Sequence, residues 1–202
     1  MKGAGKAMRY SSDHKSETRQ RVLQEAASEI RAKGPASIAV AGIMARAGLT
    51  HGGFYAHFAS KDELIAEAIS AMFDDAHGRF DRSLAKTDPR AGLLAYVDFY
   101  LSARHRDARE RGCPLAALSS DLPRLAEEPR ARFGRGVATL TGWIAEALIG
   151  LGIAEPDREA ASMLAELVGA LSLSRAVSDG VESDSILERS KAAIKLRYGL
   201  IA

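Results

Sequence analysis

Apolar residues recur along this chain every three or four positions and nowhere alternate strictly, which is the period of helices rather than of strands. From Ser16 to Lys33 the stripe is Val22, Leu23, Ala26, Ala27 and Ile30, and Gly34-Pro35 stops it. Val40, Ile43, Met44 and Ala47 continue the period in a short second segment that runs into Gly48, a residue able to take the positive φ of a sharp interhelical turn. Thr50 is a preferred N-cap, so a third helix is expected to open there, with Leu49, Phe54 and Phe58 as its inward face. Ser60 and Glu63 then have the spacing of a capping box, at the head of a long helix that carries Leu64, Ile65, Ala68, Ile69, Met72 and Phe73 to about Leu84.

The second half reads the same way. After Thr87-Asp88-Pro89, the run Leu93, Leu94, Tyr96, Val97, Phe99, Tyr100, Leu101 is apolar or aromatic almost all round and belongs at the centre of a core. Arg104 to Arg111 is charged enough to be a solvated helix end or loop. Gly112-Cys113-Pro114 opens a short segment with Leu115, Ala116 and Leu118 that Pro123 ends. Helices are expected over 133–151, with Trp143 and Ile144, over 159–177 and over 185–200. The fold should be all-α.

One stretch is unsuited to a core. In His51-Gly52-Gly53-Phe54-Tyr55-Ala56-His57, the face opposite Phe54 carries Gly52, Gly53 and Ala56, edged by Tyr55 and His57, with Lys61 following. A helix face that bare admits close approach of a ligand backbone, and helix, turn, helix is an arrangement that fits a DNA groove. The alternative is a loose surface loop. The spaced residues Thr18-Arg19 to Gly34, Ile43-Met44-Ala45-Arg46-Ala47-Gly48-Leu49-Thr50, Gly53-Phe54-Tyr55-Ala56-His57-Phe58 and Lys61-Asp62-Glu63-Leu64 resemble the N-terminal domain of the tetracycline-repressor (TetR) family over about residues 16 to 64. Two positions depart from the family pattern: Ala39 stands where a Ser or Thr usually opens the second helix, leaving that cap to Ser37 or water, and Gly53 removes a hydroxyl from the recognition helix.

The resemblance implies a DNA-binding domain over 1–64 and a ligand-binding and dimerisation domain over 65–202. It implies phosphate contacts from Tyr55, His57 and Lys61, with Arg19 and Arg46 as further candidates, while Thr50, His51, Gly52, Gly53 and Ala56 face the groove. It also implies a homodimer on a palindromic operator of double-stranded DNA, acting as a repressor released by a small effector. In the family the last two helices of each subunit pair into a four-helix bundle, and Leu164, Leu167, Val168, Leu171, Ile186, Leu187 and Ile194 are compatible with that; ordinary core helices would show the same pattern.

Charge agrees with this division. The chain of 202 residues has a net charge of +2, but residues 1–64 hold ten Lys and Arg against six Asp and Glu, so the remainder is net acidic. Residues 1–14 lack periodicity and suggest a mobile arm carrying Lys2, Lys6 and Arg9, either a disordered start or a minor-groove arm. No apolar run reaches the roughly 20 residues of a membrane span, and no signal peptide is evident, so a cytoplasmic protein without membrane association is expected.

An enzyme is the competing class. The five histidines are scattered, His51 and His57 do not share a helix face as a metal pair would, and no phosphate loop or nucleophile elbow stands out; neither catalysis, metal nor cofactor is expected. Tyr96, Phe99, Tyr100, His105, Cys113, Trp143 and Met163 are candidates for an effector pocket favouring a flat or lipophilic molecule. Cys113 is the single cysteine, so an intrachain disulfide is excluded. Its place after Gly112, close behind Arg109 and Arg111 and at a helix start, favours thiolate, and Gly-Cys-Pro-Leu resembles a segment of TetR-like regulators, some of which respond to electrophiles. Redox sensing and a small buried apolar residue both remain open for it.

Overall fold

The computed structural model describes the backbone of residues 4–84 and 88–200 and the side chains of residues 15–83 and 88–200. Nine α-helices and four short 3-10 turns make up the described chain: α1 (Ala4–Lys33), α2 (Val40–Arg46), α3 (Lys61–Leu84), α4 (Pro89–Tyr100), α5 (Ala103–Asp107), α6 (Pro114–Leu118), α7 (Glu127–Gly150), α8 (Pro156–Ala176) and α9 (Gly180–Arg197). The expected all-α architecture is what folds. The first helix begins at Ala4; Lys2 and the side chains of Lys6, Arg9 and His14, on which the expected arm rests, lie outside the described residues, as does Thr87.

Caps explain most boundaries. The Ser60 hydroxyl accepts from Glu63 N–H at 3.0 Å and the Glu63 carboxylate turns back to the Ala59 N–H, a capping box displaced by one residue. Asp88 accepts from the N–H groups of Arg90 and Ala91, and Asp179 from those of Val181 and Glu182, which sets the starts of α4 and α9. Helix α9 therefore starts five residues before the expected Ser185. Helix α7 also starts early, because Glu127 and Glu128 suit the positive end of the helix dipole and Pro129 is tolerated in a first turn. Neither Ser37 nor any other side chain caps α2; the Ser37 hydroxyl instead donates to the Gly34 carbonyl at 2.6 Å.

Helix α3 packs against α1, α4 and α7, and α7, α8 and α9 follow one another in contact. The buried residues from Val22 to Leu200 form one cluster. The boundary expected at residue 64 thus falls within the first turn of an unbroken helix. Where α3 crosses α7 the helices touch closely: a Cβ on Gly136 would lie 2.3 Å from the Phe73 ring, which also meets Phe133 edge-on at 5.6 Å between centroids.

Candidate nucleic-acid interface

The segment after α2 turns as expected but winds differently. Gly48 takes φ 76°, and Leu49 N–H bonds to the Met44 carbonyl at 2.9 Å. His51–Ala56 then forms a 3-10 helix, with Gly53 N–H bonding to Thr50 C=O and His57 N–H to Phe54 C=O. Six residues containing two glycines are too few and too weak to sustain an α-helix without packing. Thr50 stands at the N-cap, yet its side chain caps nothing.

Tighter winding redistributes the faces. Phe54 and Phe58 are buried and stacked at 5.7 Å. His51, Gly52, Tyr55, Ala56 and Lys61 are exposed together, Tyr55 at 74%. Nothing would obstruct a Cβ on Gly52, whereas one on Gly53 would point back to the Met44 methyl at 3.7 Å and the Thr50 hydroxyl at 3.9 Å. Gly53, half-buried, thus sits closer to the α2 side of the turn than Gly52 does.

Two of the cations expected on phosphates have other employment. The Arg19 guanidinium pairs with Glu67, donates to the His57 carbonyl at 3.3 Å and lies 4.6 Å above the Phe58 ring, so it ties α1, the 3-10 helix and α3 together. Arg46 pairs with Glu25 and Glu29 on α1 at 3.0 and 3.1 Å. Both are drawn to acids that the one-dimensional pattern does not place beside them. His57 is half-buried, with its Nδ1 unpartnered, and burial, then Lys15 and Arg19, hold its pKa below the ordinary value, so it offers a neutral N–H rather than a charge. Lys15, exposed beside His57, is a cation that the motif alone did not single out.

In the second domain, five of the seven pocket candidates converge. Tyr96, Phe99, Tyr100, His105 and Cys113 meet with Arg79 around a cavity of about 10 Å³ between α3, α4, α5 and α7, with Cys113 at the head of α6. A space that small holds one water at most. The Tyr100 hydroxyl is buried there with the Cys113 thiol beside it, too poorly placed for a well-formed hydrogen bond, and burial, then that thiol, drives its pKa well up. His105 is not free to greet a ligand. The Cys113 N–H donates to its Nε2 at 3.1 Å, which leaves Nδ1 to donate to the Tyr100 carbonyl at 2.8 Å. Burial lowers its pKa to about 4, in keeping with the neutral ring that these bonds require.

Trp143 lies elsewhere, stacked on His77 at 3.9 Å beside a groove of about 240 Å³ between α3 and α7. Met163 is fully buried on α8 and lines neither space. The residues expected at a dimer interface are largely core: Leu164, Leu167, Leu171, Leu187 and Ile194 are buried within the single chain, and Val168 and Ile186 are half-buried against the same cluster. Helical period marks an apolar face without telling which neighbour covers it. The apolar side chains left in the open on α8, α9 and the turn between them are Leu173, Val177, Val181 and Leu196, the last two at 82% and 81% exposure.

Among the described residues no three His, Cys, Asp or Glu side chains cluster as a metal site, and no helix is long and apolar enough to cross a membrane. No curated protein matches the sequence. Residues 22–68 match the family described as bacterial regulatory proteins, tetR family. Three solved structures are similar over nearly the whole chain. A TetR transcriptional regulator from Chloroflexus aurantiacus is 26% identical, with 90% of this chain and 93% of that one covered and a TM-score of 0.75. The reduced form of Escherichia coli NemR is 21% identical, covering 89% and 95%, with a TM-score of 0.79. A TetR-family regulator from Agrobacterium tumefaciens is 22% identical, covering 89% and 98%, with a TM-score of 0.75. Residues 22–68 thus match the helix-turn-helix of the bacterial tetR-family regulatory proteins, and the described chain as a whole shares the all-helical fold of solved TetR transcriptional regulators.

Proposed function

We propose that the protein is a homodimeric repressor that binds a palindromic operator and is released by a small lipophilic or aromatic effector. The observation that carries the DNA-binding reading is the joint exposure of His51, Gly52, Tyr55, Ala56 and Lys61 on a turn whose two phenylalanines are fully engaged inside. Tyr55, His57 and Lys61 hold phosphates, with Lys15 beside them, while Thr50, His51, Gly52 and Ala56 meet the bases. Two such heads about a two-fold axis require inverted half-sites. Footprinting on DNA flanking the gene should show a symmetric protected site; an asymmetric footprint, or none at low salt, overturns this reading.

The effector site is the cavity at Tyr100. Because it is closed, a ligand entering it must part α4 and α6 from α3, and α3 carries Lys61 at its other end. Displacing α3 alters the separation of the two heads, so simultaneous engagement of both half-sites fails. The buried Tyr100 hydroxyl, without a well-formed hydrogen bond in the closed cavity, gives such a ligand one polar anchor. A second reading uses the same cavity: oxidation of the Cys113 thiol adds bulk where none fits, and the similar NemR structure is of a reduced form. Operator release by mild peroxide that disappears in Cys113→Ser selects this second trigger, and release by an aromatic effector that persists in Cys113→Ser selects the first.

A further inference from the structure

A larger hollow lies where the two domains meet. It measures about 360 Å³, and its wall joins the end of α1 to α6 and α8. Four cations line it, Arg31 and Lys33 from α1, Arg109 from the 3-10 turn after α5, and Arg175 from α8, against a single carboxylate, Asp121. Asp121 is shared with Arg124 at 3.7 Å.

Two of the four cations are paired, Arg31 with Asp75 and Lys33 with Glu29, whereas Arg109 and Arg175 have no carboxylate within ion-pair distance among the described residues. Arg175 is half-buried and donates to the carbonyls of His105 and Arg106 at 3.0 Å each, with no carboxylate within ion-pair distance among the described residues. Gly112 makes that position possible, since a Cβ there would lie 2.7 Å from Nη2 of Arg175. Arg31 is only 6% exposed; its Nη2 reaches Asp75 at 2.9 Å and the Met72 carbonyl at 3.3 Å, but its Nε is buried without a partner. Lys33 has Glu29 at 3.1 Å and is otherwise exposed. A guanidinium withdrawn from water without a counter-charge is costly, and the cost is relieved by an anion. Burial first, and Arg109 to a lesser degree, hold the Arg175 pKa below its ordinary value, against the Cys113 thiol and Asp107, which raise it.

We propose that this hollow is a binding site for a small oxyanion, a di- or tricarboxylate or a phosphate compound, held by Arg109, Arg175 and Lys33 and bridging the end of α1 to α8. Arginine suits planar carboxylate and phosphate groups through paired N–H donors. The hollow is polar and open where the Tyr100 cavity is closed and mostly aromatic, so this ligand differs in class from the effector proposed above and does not depend on it. An oxyanion here ties the DNA-binding domain to the second domain at a place other than α3.

The test uses the full chain and two probes, citrate and inorganic pyrophosphate, titrated by calorimetry at ionic strength held constant with sodium chloride. Saturable binding of at least one is expected, weakened about tenfold in Arg109→Gln and in Lys33→Gln, and unchanged in Arg104→Gln, an exposed arginine outside the hollow. Which probe binds tells a carboxylate from a phosphate ligand. Absence of saturable binding of both up to millimolar concentration overturns the proposal, as does equal weakening in Arg104→Gln, the behaviour of a diffuse cationic surface. Folding of each variant is checked by its helical circular dichroism; should Arg109→Gln fail to fold, the Lys33→Gln and Arg104→Gln pair decides alone.

Discussion

His105 links the end of α4 to the start of α6 through both of its ring nitrogens, and that double bond to backbone works only in the neutral ring. Its folded pKa of about 4 lies below the ordinary value of 6.5, so the unfolded chain takes up the proton first as pH falls. The stability supplied by the neutral ring is complete above about pH 6.5 and is lost as pH drops toward 4, by roughly 3 kcal/mol at most. Urea unfolding across that interval should show the decline, and His105→Gln should flatten it; a decline of equal size in the variant would place the effect on other groups. Lys61 and Arg46, two cations a motif treats alike, should also separate. Lys61→Ala is expected to weaken operator and random DNA together and to reduce the salt dependence by about one charge. Arg46→Ala, already paired with Glu25 and Glu29, should leave the salt slope in place and cost under about 1 kcal/mol of stability, as exposed pairs do.

Among the elements, the crossing of α3 over α7 depends on Gly136. Gly136→Ala puts a methyl group into the Phe73 ring, and overpacking of that kind costs about 1 to 3 kcal/mol. Gly52→Ala meets nothing and should leave the melting temperature nearly unchanged while weakening DNA binding through the groove face; a large loss of stability there would contradict the open surroundings of Gly52. These contrasts show what the sequence could disclose. The helices were legible because Val22 to Ile30 and Leu64 to Phe73 repeat at one period, and the reading head because Gly48 and Phe54 to Phe58 are locally constrained. The 3-10 winding was not, since Thr50 reads as a cap whether or not its hydroxyl finds an N–H. Nor were the pairings of Arg19 with Glu67 and of Arg46 with Glu29, which depend on helices distant in sequence coming together. Leu167 and Leu187 look alike in the pattern whether they face their own chain or a second copy, so only burial places them inside.

For the whole molecule, the homodimer proposed above is expected to join through the exposed leucine and valine side chains of α8 and α9. Leu196→Asp with Val181→Asp should move the protein toward the monomer in sedimentation, without loss of helicity, because neither side chain touches the core. Operator affinity should then fall steeply, since each head must bind alone; an undiminished dimer in the double variant would place the interface elsewhere. The unbroken core also has a consequence for how the chain comes apart. Because α3 contributes Leu64 and Ile65 beneath the reading head and Phe73 and Phe80 beneath the second domain, neither half retains a closed interior once the other has melted. Heat should therefore undo the protein in one calorimetric step, the slowest-exchanging amides should lie along the middle of α3, and a fragment ending at residue 64 should remain largely uncoiled in solution.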